Sequence, residues 1–205
     1  MSTREHKQLQ HEGCTYYFTT TVCERKHVFI KQSVISHIID SFLFFQNNRN
    51  VLTNGYCIMP NHIHWIFTLS EDMDDAVKTI GTFKSYTAIQ ILKNLKSSTM
   101  FDSEPVDTIF KNNKNIKREK SSSLLKTFFN PNPAKRSTHT FWQQDSDLKA
   151  IYSESFLREK LAYIHANPSQ EHWSIVDNYE MYPYSSCRYY VHGNDLHGLS
   201  ILSLL

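Results

Sequence analysis

No apolar run in this chain is long enough to span a bilayer. The longest lies near Ser41 to Phe45, whereas a spanning helix needs about 20 residues. Met1 to His11 is polar, so no secretory leader is expected. Cys14, Cys23, Cys57 and Cys187 are far apart and form no Cys-x-x-Cys pair. Their simplest reading is reduced thiols in a cytosolic protein. Net charge is small, only +2, and no segment repeats. What the chain does have is apolar and aromatic mass: 40% hydrophobic, with 13 Phe and 11 Tyr. That excludes a disordered chain, and 205 residues suit one elaborated domain.

Cys14 to Cys23 is rich in β-branched and aromatic residues and reads as a strand. Gln32 to Gln46 places Val34, Ile35, Ile38, Ile39, Phe42 and Phe45 at helical spacing. A strand over Val51 to Met59 follows, with a kink expected at Asn54-Gly55. Pro60-Asn61 makes a turn into a strand over His62 to Leu69, and a second long helix covers about Asp74 to Leu95. Residues 96–140 are rich in Ser, Asn, Lys and Pro and read as a low-complexity basic insertion. From Lys111 to Arg136 there are six Lys and two Arg against one Glu, so the rest of the chain holds 14 basic and 19 acidic residues. A basic segment on a mildly acidic domain suggests a polyanion partner; a solvated insertion is the alternative.

A strand within Asp145 to Ile151 and a helix from Ser153 or Ser155 to Ala166 complete the pattern, with a C-terminal extension over about 169–205. The order β-α-β-β-α-(insertion)-β-α predicts an α+β, ferredoxin-like (RRM-like) antiparallel sheet with helices on one face. The other sheet face would be open for a site. The whole is read as a single domain, 1–205.

Chemistry concentrates in two places. His62 and His64 alternate with Ile63 and Trp65, so both imidazoles leave the same face of their strand. Two neutral imidazoles could hold a divalent metal, or could be ordinary polar residues on a half-exposed strand. On the last helix, Phe156, Lys160, Tyr163 and Asn167 share a face. A tyrosine hydroxyl can attack phosphorus and become covalently linked to it; a helical Tyr beside Leu161 and Ile164 could equally belong to the core.

Together, Met59-Pro-Asn-His-Ile-His64, Tyr163-Ile-His-Ala-Asn-Pro168 and Tyr184-Ser-Ser186 closely resemble the single-tyrosine HUH transposases. The likeness is greatest to the REP-associated tyrosine transposase, or IS200-like, branch. It extends to Phe83-Lys-Ser-Tyr-Thr87 and Phe141-Trp-Gln-Gln144. The resemblance implies that His62, His64 and Asn167 hold Mg²⁺ or Mn²⁺ and that Tyr163 is the nucleophile. The enzyme would cleave and rejoin single-stranded or hairpin DNA through a 5′-phosphotyrosine, as a monomer or homodimer, in the bacterial cytoplasm and at the nucleoid. Lys84, Lys160, Lys111, Lys114, Lys117 and Arg118 are expected phosphate contacts. Trp142, Tyr182 and Tyr184 are candidate base-stacking platforms, with core positions as the alternative. Two departures stand out: Asp147-Leu148 replaces a His-Pro common in the branch, and Ser169 replaces a Val. The competing reading is a non-catalytic module that binds structured nucleic acid on an RRM-like sheet.

Overall fold

A computed structural model describes residues 13–69, 73–129 and 139–204. Four strands form one antiparallel sheet: β1 (Cys14–Thr21), β2 (Leu52–Met59), β3 (His62–Leu69) and β4 (Asp147–Ile151), in the order β2-β3-β1-β4. This is the ferredoxin-like order. Helices α1 (Gln32–Arg49) and α2 (Met73–Lys96) are the two crossovers. They share one sheet face because their apolar stripes meet the same row of side chains. Phe42 of α1 stacks on Phe83 of α2, with ring centroids 5.6 Å apart, and lies 4.8 Å from Trp65 of β3. Phe18 of β1 meets the Phe83 ring edge-on. The α1 helix runs three residues beyond its last predicted turn. It stops at Asn50, whose left-handed φ of 52° an asparagine tolerates better than most residues.

The α+β class and sheet order are as the sequence predicts, but helices lie on both faces. Helix α5 (Glu154–Ala166), capped by the Ser153 hydroxyl, packs on the face opposite α1 and α2. Gly55 makes this possible. A Cβ there would lie 2.6 Å from Leu161 Cδ2 and 3.4 Å from Ile164 Cδ1, so only glycine lets α5 sit this close to β2. The expected kink is a register shift between Thr53 and Gly55.

The described part of the insertion is folded into the body of the protein rather than left in solvent. Helices α3 (Ser98–Ser103) and α4 (Ser121–Phe128) bury Phe101, Leu124 and Phe128, and the intervening chain buries Phe110 and Ile116. Phe110 stacks on Tyr184 at 6.2 Å. Residues 130–138, including the basic Lys135 and Arg136, lie outside the described residues. The extension runs back along the β2 edge. Tyr184 and Ser186 exchange backbone hydrogen bonds with Ile58 and Tyr56, and Leu202 N–H donates to the Thr53 carbonyl. The helix α6 (Cys187–His192) lies between these contacts. The apolar tail thus covers sheet edge and core, with Leu199 and Ile201 buried.

Candidate active site on the second sheet face

Antiparallel pairing decides which residues surround the two histidines. Thr19 of β1 and Cys57 of β2 both stand opposite His64. Directly opposed residues share a face, so Thr19, Tyr17, His62 and His64 all point towards α5. His64 is buried and His62 half-buried, and their rings meet edge-to-face with centroids 4.8 Å apart.

Both imidazoles are held from behind. His64 Nδ1 lies 2.7 Å from Thr19 Oγ1 and 3.1 Å from Tyr17 Oη. His62 Nδ1 lies 2.7 Å from Asn61 Oδ1, an acceptor, so it carries the hydrogen. On the other side of His64, Nε2 lies 3.0 Å from the Asn167 side-chain nitrogen, which donates to it. His64 Nδ1 is then also the protonated nitrogen. Both rings accordingly keep the Nε2 lone pair on the side facing α5. Burial keeps them neutral: it pushes His62 down to about 4, helped by the charge of Arg25, and holds His64 well below the usual histidine range.

The α5 residues arrive together because its apolar stripe, Leu157, Leu161 and Ile164, docks on the sheet. That orients the adjoining stripe along the edge of the interface. Tyr163 is 47% exposed, and its ring meets His64 edge-to-face at 5.5 Å. Asn167 begins the 3₁₀ turn after the helix and is buried. Lys160, one turn before Tyr163, lies 5.6 Å over the Tyr17 ring and 4.9 Å over Phe156, with Glu159 as its ion-pair partner. Burial raises Tyr17 to about 12, so it is a neutral hydroxyl beside His64. Among the described residues no group of three or more His, Cys, Asp or Glu side chains could hold a metal. The set on this face is two imidazoles and an amide.

The structure brings His62, His64, Tyr163, Asn167 and Lys160 together, but not the remaining predicted contacts. Lys84 lies on the α1/α2 side, and its ammonium donates to the Gln143 carbonyl at 3.0 Å and to Ser146 Oγ at 2.6 Å. Trp142, Tyr182 and Tyr184 are core residues, each with its polar atom satisfied inside the protein. Lys111, Lys114, Lys117 and Arg118 are exposed. Their segment reaches the site through its backbone and its asparagines. Lys117 N–H donates to His27 Nδ1, and Asn113 donates to the Trp173 carbonyl. The Trp173 ring lies between His27 and His62, at 5.6 and 5.7 Å. Thr19, Tyr17, Asn61 and Trp173 escaped the sequence reading. The β1–β3 pairing could have found the first two, because parity within one strand cannot name a cross-strand neighbour.

Residues 10–103 match the family described as transposase IS200 like. The matched segment is similar to IS200-like transposases over less than half of the chain. It holds β1 to α3 with both histidines, while Tyr163 and Asn167 fall beyond the match. No curated protein matches the chain. Among solved structures, that of a REP-associated tyrosine transposase bound to a REP hairpin superposes with a TM-score of 0.54 at 17% identity. The alignment covers 100% of this chain and 94% of the other. That likeness shows a shared fold along the full length, including α5. No described helix is long and apolar enough to cross a membrane.

Proposed function

We propose that this IS200-like protein cleaves and rejoins single-stranded DNA with Tyr163 as nucleophile. The observation that carries the reading is the meeting of Tyr163, Asn167 and His64 on one sheet face, from segments about a hundred residues apart. Tyr163 Oη attacks a backbone phosphorus and loses its proton. The P–O3′ bond breaks, the departing 3′ oxygen takes up a proton, and the 5′ phosphate stays on the tyrosine. A second 3′-OH then attacks the same phosphorus, displaces the tyrosine oxygen and restores a phosphodiester. Bond count is conserved, so no nucleotide triphosphate is consumed.

The donor set fits a hard divalent cation such as Mg²⁺ or Mn²⁺. His62 and His64 each have Nδ1 occupied by a protein partner, which leaves the Nε2 lone pair as the ligating one, an arrangement typical of metal-binding histidines; in His64 that lone pair accepts from Asn167, whose amide would have to turn for a cation to bind. Turning the Asn167 amide would present its oxygen as a third ligand. A bound cation would polarise the phosphoryl group and stabilise negative charge on the oxygens. Thr19, Tyr17 and Asn61 fix the ring tautomers, and α5 sets the reach of Tyr163. By analogy with the hairpin-bound relative, hairpin-bearing single strands are the proposed substrate.

The binding-module alternative needs an open sheet face, and α5 occupies the face left free by α1 and α2. Mass spectrometry after incubation with labelled hairpin DNA and Mn²⁺ tests the proposal. Wild type should carry a nucleotide adduct on Tyr163, absent from Tyr163→Phe, which should bind DNA nearly as well. Adduct at wild-type levels in Tyr163→Phe would remove Tyr163 from its role.

A further inference from the structure

The loop after β1 is strained. Glu24 has φ 52° and ψ 22°, and Arg25 also has φ 52°. Successive left-handed residues with full side chains are unfavourable, because Cβ crowds the backbone. Such conformations persist where surrounding structure over-determines them, and they gather at functional sites.

Here the constraint comes from the site itself. Asn61 is buried, and its Nδ2 donates to the Arg25 carbonyl at 3.1 Å while its Oδ1 accepts from His62 Nδ1 at 2.7 Å. One amide therefore ties the strained turn to the first histidine. The turn is also anchored at its start: Val22 N–H donates to the Asn61 carbonyl and Cys23 N–H to the Phe141 carbonyl, both at 2.8 Å.

The Arg25 side chain is exposed, and no described residue takes its guanidinium in a hydrogen bond or ion pair. His172, also exposed, stands on the same side, its ring 5.5 Å from Trp173. An exposed cation with no partner among the described residues thus stands on a strained turn that one asparagine ties to His62.

We propose that Arg25 binds a backbone phosphate of the single-stranded DNA next to the one that Tyr163 attacks, with Asn61 as the positioning residue that holds the turn. This rests on the reading of the preceding subsection. Guanidinium suits the task because it is planar, permanently charged and able to grip two phosphate oxygens at once. Contact with the neighbouring phosphate would register the strand so that the scissile phosphorus faces Tyr163.

The test is fluorescence anisotropy of labelled hairpin-bearing single-stranded DNA in EDTA, over a range of NaCl concentrations. Arg25→Ala should weaken binding about five-fold near 0.1 M NaCl and reduce the salt slope by about 0.7, the value for one single-strand phosphate contact. Arg25→Lys should restore the slope but not the full affinity. Asn61→Ala, checked for folding by circular dichroism, should lower the slope although Arg25 is intact; a wild-type slope there overturns the positioning role. An unchanged slope in Arg25→Ala overturns the phosphate contact. These readouts involve no chemistry. A wild type that binds with the expected slope but forms no adduct refutes the Tyr163 reading alone and leaves the Arg25 result standing.

Discussion

Replacing Gly55 with alanine probes whether the close approach of α5 to β2 sets the geometry of the site. The new Cβ would stand 2.6 Å from Leu161 Cδ2. Carbon atoms in comfortable contact are about 3.5–4.0 Å apart, so the two must separate by about 1 Å. Leu161 is only 4% exposed and cannot swing aside without losing burial, while Ile164 Cδ1 at 3.4 Å blocks sliding along the helix. Overpacking of this kind costs about 1–3 kcal/mol. The low end applies, because one methyl meets the end of one side chain. The effect on chemistry should be larger. Tyr163 and Asn167 travel with α5, and a displacement of about 1 Å can cost about 100-fold in rate. Urea unfolding should therefore show a loss of about 1 kcal/mol, while the rate of adduct formation at saturating DNA and Mn²⁺ falls about 10- to 100-fold. Adding Leu161→Ala clears the space. The double variant should regain rate while losing a further 2 kcal/mol or more, roughly the usual cost of a buried Leu truncation. Gly55→Ala forming adduct at the wild-type rate would refute the argument that α5 must sit this close.

Two further expectations concern the surroundings of the histidines. Thr19→Val combined with Tyr17→Phe leaves His64 Nδ1 without its oxygen partners. Mn²⁺ affinity, measured by titration calorimetry, should fall about 10- to 100-fold; unchanged affinity would mean that these hydroxyls do not orient the ring. His27 is held down to about 4 by burial, with the charge of Lys117 adding to it. The unfolded chain therefore takes up this proton near 6.5 and the folded chain only near 4. Its contribution to stability is complete above about pH 6.5 and is lost as pH falls towards 4. The full shift would correspond to about 3 kcal/mol. Solvent reaches part of the ring, so a loss of about 1 kcal/mol between pH 7 and pH 5 is expected. His27→Gln should flatten this dependence in urea unfolding at the two pH values, and an identical slope would show that His27 does not carry it.

The elements legible in the sequence were those whose signal is local. The bounds of β3 and the end of α5 at Ala166 follow from alternation, from Ser153 as cap and from Asn167-Pro168 as stop. Grouping His62 with His64 needs only strand parity, and grouping Tyr163 with Asn167 needs only helical spacing. What could not be read depends on partners distant in sequence. Phe101, Phe110, Ile116, Leu124 and Phe128 follow no single period among polar residues, so the insertion resembled solvated chain. Its apolar residues are completed by Lys31, Tyr184 and Phe141. Lys84 invited a phosphate contact because its charge is visible in the sequence, whereas the Gln143 carbonyl that holds it is not. Trp142, Tyr182 and Tyr184 have the aromatic faces a base-stacking platform needs, and burial alone tells them from one.

The order of synthesis gives the covered β2 edge a separate importance. Tyr184, Ser186 and Leu202 pair with a strand made about 130 to 150 residues earlier. While the chain is being made, β1, β2 and β3 are complete long before these partners exist. Until then the outer backbone groups of β2 are exposed and can pair with another chain. A product cut short before Tyr184 would keep that edge permanently open, beside a sheet face already carrying His62 and His64. Premature termination is thus expected to yield a sticky, self-associating fragment rather than a smaller folded protein.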